Sequence, residues 1–345
     1  MGPMRFTLVV ALGIAMPVCA SPGLAGDKAP ISLKLISVRK IWDQGRHNAF
    51  TDLIRFQERF YCVFREGAGH VSADGKIRAL VSADEGRTWK SAALLALKGY
   101  DLRDAKISIM PDGRLMVLGG AAPRKDREPV PTSSFVSFSK DGATWTQPKI
   151  IARKGRWLWR LTWHEGTAYG VDYGGRKPTA LLTTADGLTY RVLTDPLCNL
   201  GQPNEATLRF TKAGTCYCLH RRSGSALLGA AKPPYKKWTW KDLGQYIGGP
   251  DMIQLPSGDW LGAGRLLKPT RTSVFVIDVD AGKMTELLRL PSGGDTSYPG
   301  LVWYKDLLWI SYYASHERKT SIYLARVKVE KNTSARQNPG TDESE

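Results

Sequence analysis

Ser82-Ala83-Asp84-Glu85-Gly86-Arg87-Thr88-Trp89 is a turn sequence that recurs twice more along the chain. The second copy is Ser139-Lys140-Asp141-Gly142-Ala143-Thr144-Trp145, which is one residue shorter, and the third is Thr184-Ala185-Asp186-Gly187-Leu188-Thr189-Tyr190. In each copy the Asp can cap backbone N–H groups, the Gly can take a positive φ, and the Thr and aromatic residue can anchor the next strand. The repeat therefore predicts a structural turn and not a catalytic group.

Each copy of this turn follows a short run of residues that favour β-strands. The three runs are Ile77–Val81, Ser134–Phe138 and Ala180–Thr183. A strand-and-turn unit that occurs three times in one chain indicates a repeat architecture. The 345 residues also include 35 Gly, 11 Trp and 13 Tyr, a composition typical of many short strands joined by tight turns. The sequence therefore predicts an all-β fold.

The repeated turn resembles the Asp-box, or BNR repeat, of the sialidase (neuraminidase) superfamily. The resemblance implies a six-bladed β-propeller over residues 33–328. We expect the segment Leu33–Trp42 to join the last blade and close the ring, and residues 27–330 to form a single domain. The blades are expected at residues 45–97, 104–151, 156–195, 203–243, 249–289 and 297–328.

Both ends of the chain are expected to lie outside the propeller. One positive charge precedes the apolar run Phe6–Val18, and small residues follow at Val18-Cys19-Ala20 and Leu24-Ala25-Gly26. This pattern predicts a signal peptide over residues 1–26, since the apolar run is too short for a comfortable membrane span. We expect a secreted or periplasmic protein that is a monomer and has no stable membrane insertion after cleavage. The polar segment 331–345 is expected to be disordered.

The chain is strongly basic, with 49 Lys and Arg against 32 Asp and Glu and a formal net charge of +17. The basic residues are scattered, and export argues against nucleic acid as a partner. A groove that accepts an acidic glycan fits the charge better, so the expected partner is a carbohydrate. No motif indicates a required cofactor, and no His and Cys cluster has zinc spacing, so no metal is predicted, although a structural calcium stays open.

Four cysteines remain after the expected cleavage, namely Cys62, Cys198, Cys216 and Cys218. Export permits disulfides, but Cys216 and Cys218 would share one face of a strand and are poorly placed to bond each other. Buried free thiols are the simplest expectation.

The second half of the chain carries an ordered set of polar residues near the expected blade starts: Glu205, Arg221, Arg265 and Tyr298. This order resembles the catalytic set of sialidases. The resemblance implies Tyr298 as the nucleophile, Glu205 as its base, and Arg221 and Arg265 as two arginines that bind a substrate carboxylate. Structural alternatives stay open, with Tyr298 packing on the turn at Pro299, Glu205 pairing with Arg209, and Arg265 at a solvated strand end.

The first half departs from the sialidase pattern, because no Arg-x-Pro motif opens the first blade. The stretch Val63–His70 is similar to a sialidase segment, but its Arg65 precedes the Glu instead of following it. Arg65 is a candidate for substrate binding. The candidates for the catalytic acid are Asp74 and His70. Three further residues at blade starts are candidates for replacing the missing arginine or binding sugar hydroxyls, namely Arg103, Asp104 and Arg160.

The sequence thus predicts an exported glycoside hydrolase that acts on a terminal, anionic sugar. One alternative is a polysaccharide lyase, in which arginines neutralise a uronate carboxylate and Tyr298 or His70 removes the adjacent proton. The other alternative is a glycan-binding propeller without catalysis.

Overall fold

The computed structural model describes residue 2, residues 31–124 and residues 132–331. Apart from residues 2 and 331, the signal peptide predicted at 1–26 and the tail predicted at 331–345 lie outside these residues. Both therefore stay predictions of the sequence.

The described residues form twenty-four β-strands and contain no α-helix. In chain order they are β1 (Ile31–Trp42), β2 (His47–Phe56), β3 (Arg59–Gly67), β4 (Lys76–Ser82), β5 (Lys90–Leu95), β6 (Tyr100–Ile109), β7 (Leu115–Pro123), β8 (Ser133–Ser139), β9 (Lys149–Ile151), β10 (Trp157–His164), β11 (Thr167–Tyr173), β12 (Thr179–Thr184), β13 (Arg191–Cys198), β14 (Pro203–Phe210), β15 (Cys216–Arg222), β16 (Leu227–Ala231), β17 (Thr239–Asp242), β18 (Gly248–Gln254), β19 (Trp260–Leu266), β20 (Arg271–Asp278), β21 (Lys283–Arg289), β22 (Thr296–Tyr304), β23 (Leu307–Ala314) and β24 (Ser321–Lys331).

These strands make six antiparallel sheets of four strands each, which are the blades of a propeller. Blades 1 to 5 are β2–β5, β6–β9, β10–β13, β14–β17 and β18–β21, each built from four consecutive strands. The first strands of successive blades contact one another around a ring that runs from β2 through β6, β10, β14, β18 and β22 back to β2. The predicted all-β, six-bladed propeller is confirmed.

The sixth blade joins the two ends of the described chain. Its order is β22-β23-β24-β1, so the first strand forms its outer edge and joins the last blade, as expected for the segment Leu33–Trp42. The pairing runs from Ile31 opposite Lys331 to Trp42 opposite Ile322. The Ile31 side chain is buried in the apolar cluster that blades 5 and 6 share, so the closing strand also seals that inter-blade contact.

The three repeated turns connect the third and fourth strands of blades 1, 2 and 3 with the same hydrogen bonds. In the second copy the Asp141 carboxylate accepts from the Thr144 N–H at 2.7 Å, and the Ser139 hydroxyl accepts from the Gly142 N–H at 2.8 Å. The Trp145 indole N–H then donates to the Gly142 carbonyl at 3.1 Å. Corresponding bonds occur in the first and third copies. The turn thus satisfies its own backbone groups.

Each repeated turn also packs against the preceding blade. A Cβ added to Gly142 would lie 2.3 Å from the ring of Tyr61 in blade 1, and Tyr61 donates its phenol proton to the Asp141 carbonyl at 3.0 Å. Gly86 approaches Trp309 and Leu324 of blade 6 in the same way. The turns therefore help to fix neighbouring blades to each other.

Blade 4 has a fourth version of this turn, which lacks the Asp and Gly of the other copies. Tyr235 has a φ of 59° where the other copies have glycine at 73° to 75°. The indole N–H of Trp238 donates to the Tyr235 carbonyl at 2.9 Å, as the aromatic residue does in the other copies. The Tyr235 ring contacts Tyr169 of blade 3, so the inter-blade role is kept.

A network of charged side chains lies along the axis of the ring. Its residues belong to the first strands of the blades and lie a few residues after the start of each strand. Arg160 of β10 donates to both carboxylate oxygens of Asp52, at 3.0 and 3.1 Å, and lies 3.3 Å from Asp251. Arg209 of β14 pairs with Asp251 at 2.7 Å, and Lys106 of β6 donates to the Thr51 carbonyl at 2.8 Å. Buried charges persist when they are paired in this way. The axis is therefore a cross-linked polar core contributed by five blades.

The four cysteines named above are all buried free thiols, as expected. Among residues 31–124 and 132–331, no helix is long and apolar enough to cross a membrane.

Candidate active site

The first strand of every blade carries a β-bulge close to the end where it begins. The strand register shifts between Ala49 and Asp52 in β2, and at the corresponding points of β6, β10, β14, β18 and β22. We call this end of the ring the channel mouth; it is formed by residues 47–50, 100–104, 157–160, 203–205, 248–250 and 296–298. A bulge bends the strand and re-aims a side chain. The residues considered below lie at or beside these bulges.

Tyr298 and Glu205 meet at the channel mouth although they are 93 residues apart. The Tyr298 phenol donates to the Glu205 Oε1 at 2.6 Å, and both side chains are buried. The Tyr298 backbone has a φ of 53°, a left-handed conformation that is strained for an aromatic residue. Its carbonyl accepts from the Thr51 hydroxyl at 2.7 Å, which holds the bulge against blade 1.

The other oxygen of Glu205 is bound by two further donors. Oε2 accepts from Arg221 Nη1 at 2.7 Å and from the Gly249 N–H at 2.9 Å. Gly249 has a φ of 57°, and a Cβ there would lie 2.6 Å from the Tyr298 ring. Both the backbone conformation and the lack of space therefore favour glycine at this position. Glu205 thus pairs with Arg221, and not with Arg209 as one alternative had it.

The pKa values of this pair are shifted in opposite directions. Burial disfavours the Glu205 carboxylate, but the charge of Arg221 and the hydrogen bonds from Arg221, Tyr298 and Gly249 outweigh it and lower the Glu205 pKa. Burial, with the negative charges of Glu205 and Asp104, raises the pKa of Tyr298 well above its ordinary value. Tyr298 is therefore a neutral phenol that touches an ionised base.

Two guanidinium groups lie beside this pair. The charge of Glu205 raises the pKa of Arg221, whose guanidinium lies 5.6 Å from the ring centre of Tyr246. Arg265 donates to the Thr296 carbonyl at 3.3 Å and is also adjacent to Tyr246 and Tyr298. Within the part of the chain that the structure describes, Arg265 makes no ion pair with a carboxylate. Its charge is therefore available to an anionic ligand.

Asp104 is the second carboxyl group of the site. It occupies the bulge of β6 with a φ of 50°, and only 6% of its surface is exposed. Burial, together with the negative charge of Glu205, raises the pKa of Asp104 to about 7, although nearby Lys106 and Arg103 oppose the shift. No other described residue forms a hydrogen bond with its carboxyl group. Asp104 can therefore carry a proton near neutral pH.

Several sequence candidates have structural partners instead. Arg65 is wholly buried and bound to Asp101 at 2.8 Å, to the Gly69 carbonyl at 2.6 Å and to the Ser72 hydroxyl at 2.7 Å. Arg160 belongs to the buried axis. Neither guanidinium can reach a ligand without losing these partners, so we assign both arginines to the framework and not to substrate binding.

Arg103 and Asp74 are also held by residues close to them in sequence, Arg103 within strand β6 and Asp74 within the loop after β3. Arg103 lies 2.6 Å from the Asp101 carboxylate, with part of its side chain exposed. Hydrogen bonding to the Ser72 side chain lowers the pKa of Asp74. The Ala68 N–H, which donates to Asp74 Oδ1 at 3.1 Å, lowers it further. A carboxyl group with a lowered pKa is a poor proton donor. The acid role expected of Asp74 therefore fits Asp104 better.

His70 lies at the mouth in a cluster that includes residues to which the sequence gave no role. Its Nδ1 is 2.7 Å from Asp295 Oδ2, and Nε2 of His47 is 3.1 Å from the same oxygen. The Phe50 ring lies 5.0 Å from the His70 ring and 5.0 Å from the Tyr298 ring. Since 225 or more residues separate Asp295 from both histidines, only the closed ring reveals this cluster.

Comparisons with known proteins support the propeller fold. No family model and no curated protein matches this sequence. The chain is similar to a solved Dyadobacter fermentans protein of unknown function, with a TM-score of 0.76 and 18% identity over 87% of this chain and 100% of that one.

Two solved enzymes share the architecture at lower identity. An α-L-arabinofuranosidase from Fusarium graminearum, in complex with an iminosugar inhibitor, has a TM-score of 0.68 and 15% identity over 86% of this chain and 98% of that one. A Trypanosoma rangeli sialidase has a TM-score of 0.63 and 12% identity over 82% of this chain. The match covers 55% of that sialidase, about half its length.

Proposed function

We propose that the protein is a glycoside hydrolase in which Tyr298 is the nucleophile and Glu205 its base. The observation that carries this proposal is the 2.6 Å hydrogen bond between the two buried side chains at the channel mouth. A nucleophile in contact with a base that other groups orient is the general signature of covalent catalysis. The two structurally similar enzymes that act on glycosides support the substrate class.

The first step transfers the terminal sugar to Tyr298. The phenol oxygen bonds to the anomeric carbon while the bond from that carbon to the glycosidic oxygen breaks. The phenol proton passes to Glu205. Asp104 gives its proton to the departing oxygen, so the leaving group departs as a neutral alcohol.

The second step releases the sugar. A water molecule gives its oxygen to the anomeric carbon and a proton to Asp104, while the bond between the sugar and Tyr298 breaks. Glu205 returns its proton to the phenolate. Glu205 and Asp104 then have the protonation states in which they began.

The charges at the mouth favour a sugar that carries a carboxylate. Arg265 is free of carboxylate partners among the described residues, and Lys106 lies 5.5 Å from the ring centre of Tyr298. A neutral phenol approaches such a sugar without the repulsion that a carboxylate nucleophile would meet. Arginine suits the ligand because its planar fork can bind a carboxylate through two N–H groups.

The test compares Tyr298→Phe with Tyr312→Phe on aryl glycosides of sialic acids, uronic acids and neutral sugars. Tyr312 is a matched control, because it is buried in the same blade and donates to the Pro291 carbonyl at 2.8 Å, away from the mouth. We expect Tyr298→Phe to lower kcat at least about 1,000-fold and Tyr312→Phe to leave it nearly unchanged. A fluorinated substrate that traps the intermediate should add its mass to the peptide that contains Tyr298.

Four outcomes would contradict this proposal. Full activity of Tyr298→Phe, or a label on another residue, would exclude Tyr298 as the nucleophile. An unsaturated uronate product from acidic polysaccharide would identify a lyase. Saturable glycan binding with no product would identify a binding protein.

A further inference from the structure

We propose that His47, His70 and Asp295 form a binding site for a divalent metal ion of the zinc type. The three side chains come from the start of β2, the loop after β3 and the residue before β22. Their ligand atoms all lie within 4.8 Å of one another. Ligands in a tetrahedral zinc site at about 2.0–2.2 Å from the ion lie a little over 3 Å apart, which small side-chain shifts would reach here.

The carboxylate is held so that one oxygen faces both imidazoles. Tyr313 donates its phenol proton to Asp295 Oδ1 at 2.8 Å, and the Asp295 N–H donates to the Ser315 hydroxyl at 2.8 Å. Asp295 Oδ2 is left for His47 Nε2 and His70 Nδ1. Outer hydrogen bonds of this kind orient the ligands of metal sites and tune their affinity.

The surroundings combine an apolar wall with an open side. The Phe50 ring lies 6.2 Å from His47 and 5.0 Å from His70, and the His47 ring is buried. The His70 side chain is 54% exposed, so solvent reaches the cluster from that side. Three protein ligands with an open fourth position are the arrangement of zinc sites that bind water or a substrate.

The donor set selects the class of ion. Two imidazole nitrogens and one carboxylate oxygen suit Zn²⁺ and its first-row neighbours, whereas Mg²⁺ and Ca²⁺ prefer oxygen ligands alone. The sequence predicted no metal because the three ligands have no motif spacing; they become neighbours only when blade 6 meets blade 1.

The site stands next to the catalytic tyrosine. Two rings connect them. The Phe50 ring lies 5.0 Å from the rings of both His70 and Tyr298, and the Tyr313 ring, whose phenol binds Asp295, lies 5.9 Å from the Tyr298 ring. A bound ion would therefore offer its open position to an oxygen of a ligand seated at the channel mouth. That role rests on the proposed glycosidase function, whereas the binding of the ion itself does not.

The test titrates Zn²⁺ into chelator-treated full-length protein by calorimetry, with no glycan present, and repeats the titration with Co²⁺ while recording its visible absorption. We expect one ion per chain and a cobalt spectrum typical of nitrogen and oxygen ligands in a low-coordinate site. His70→Gln and Asp295→Asn should each weaken binding at least about 10-fold. His316→Gln should not, because His316 is a partly exposed histidine that lies outside the cluster.

Thermal unfolding of each variant checks that it is folded, and His70→Gln is the main variant because its side chain is largely exposed. No stoichiometric Zn²⁺ binding by the wild-type protein would overturn the proposal. Equal binding by His70→Gln and the wild type, or preferential binding of Ca²⁺, would overturn it as well. Because these measurements need no substrate, failure of the glycosidase assay leaves their outcome untouched.

Discussion

The pKa values of Glu205 and Asp104, two carboxyl groups at the channel mouth, are shifted in opposite directions. Donors surround Glu205 and keep it ionised, whereas Asp104 is buried, receives no hydrogen bond from any described residue, and is close to the negative charge of Glu205. Opposite shifts of this kind separate a base from an acid in an active site. The roles proposed above, Glu205 as the base and Asp104 as the acid, therefore agree with the surroundings of the two residues.

Activity should fall as pH rises through about 7, because Asp104 must be protonated to act as the acid and burial, with Glu205, raises its pKa to about 7. Asp104→Asn should remove this alkaline limb and lower kcat about 100-fold or more on substrates with alcohol leaving groups. Nitrophenyl glycosides, which need little acid assistance, should lose much less. Profiles of kcat against pH for both substrate types measure this effect.

Asp74→Asn is the control, because Asp74 caps a loop and its pKa is lowered. An unchanged alkaline limb in Asp104→Asn would contradict the assignment.

The pH dependence of stability offers a second measurement of the Asp104 pKa. The raised pKa of Asp104 favours the folded protein at acid pH, and this contribution is lost as pH rises through about 7. Asp104→Asn should therefore gain stability relative to the wild type between pH 5 and pH 8 in urea titrations.

The residue order along the chain was enough to propose Tyr298, Glu205, Arg221 and Arg265 as one set, which the ring brings together. It was not enough to separate Asp104 from Asp74, since both are aspartates in loops or at strand starts and only burial distinguishes them. Arg65 and Arg160 were proposed as ligand contacts because a sequence does not show which guanidinium groups the protein itself surrounds. The cluster around Asp295 left no sequence signal except its position at the start of a blade.

At the scale of the element, the repeated turns act as contacts between blades as well as links between strands. Their Asp and Ser or Thr side chains satisfy the turn's own backbone groups, and their glycines let the preceding blade approach. The residue types alone predict the first of these two functions. The second function depends on a neighbour from another blade.

Gly142→Ala should destabilise the protein by about 2 kcal/mol or more, because the new methyl group meets the Tyr61 ring in addition to straining a positive φ. Gly113→Ala is the matched control. Gly113 also has a positive φ, of 81°, but nothing lies within 4 Å of an added Cβ. It should cost about 1–2 kcal/mol from backbone strain alone. Urea unfolding of both variants measures the difference, and equal losses would show that the inter-blade contact contributes nothing.

The fourth version of the turn, in blade 4, could not be identified from the sequence pattern of the other three. Blade 4 replaces the Asp with Pro233 and the Gly with Tyr235, so the residue types that identify the turn are absent. Trp238 keeps the indole hydrogen bond, and Tyr235 keeps the positive φ. The turn conformation can thus form without the Asp and Gly that usually favour it, because packing of Tyr235 against Tyr169 supports it.

At the scale of the whole molecule, the charged axis ties together blades that are distant in sequence. Arg160 lies 108 residues from Asp52, and 91 residues separate it from Asp251. The sequence predicted six blades and nearly their bounds, because each blade is a local unit of consecutive strands. It did not predict the axis, since a lone charge in each of five strands has no pattern.

Arg160→Met should destabilise the protein by about 3–5 kcal/mol, because it leaves Asp52 and one oxygen of Asp251 buried without their cation. Arg289→Met, which removes an exposed partner of Glu286, should cost no more than about 1 kcal/mol. Guanidinium unfolding curves compare the two variants. A small effect of Arg160→Met would mean that the axis does not hold the blades together.

The place of β1 in blade 6 determines when the ring can be completed. β1 is synthesised before any other strand of the propeller, and its partner β24 is the last to leave the ribosome. Blades 1 to 5 can each pair fully as they emerge, but β1 must wait while nearly 300 residues are added. Closure costs little more for this long loop than for a shorter one, because the entropy of closure grows only with the logarithm of length. Until closure, the unpaired β1 and the open edge of β24, whose other edge pairs with β23, can pair with another nascent chain.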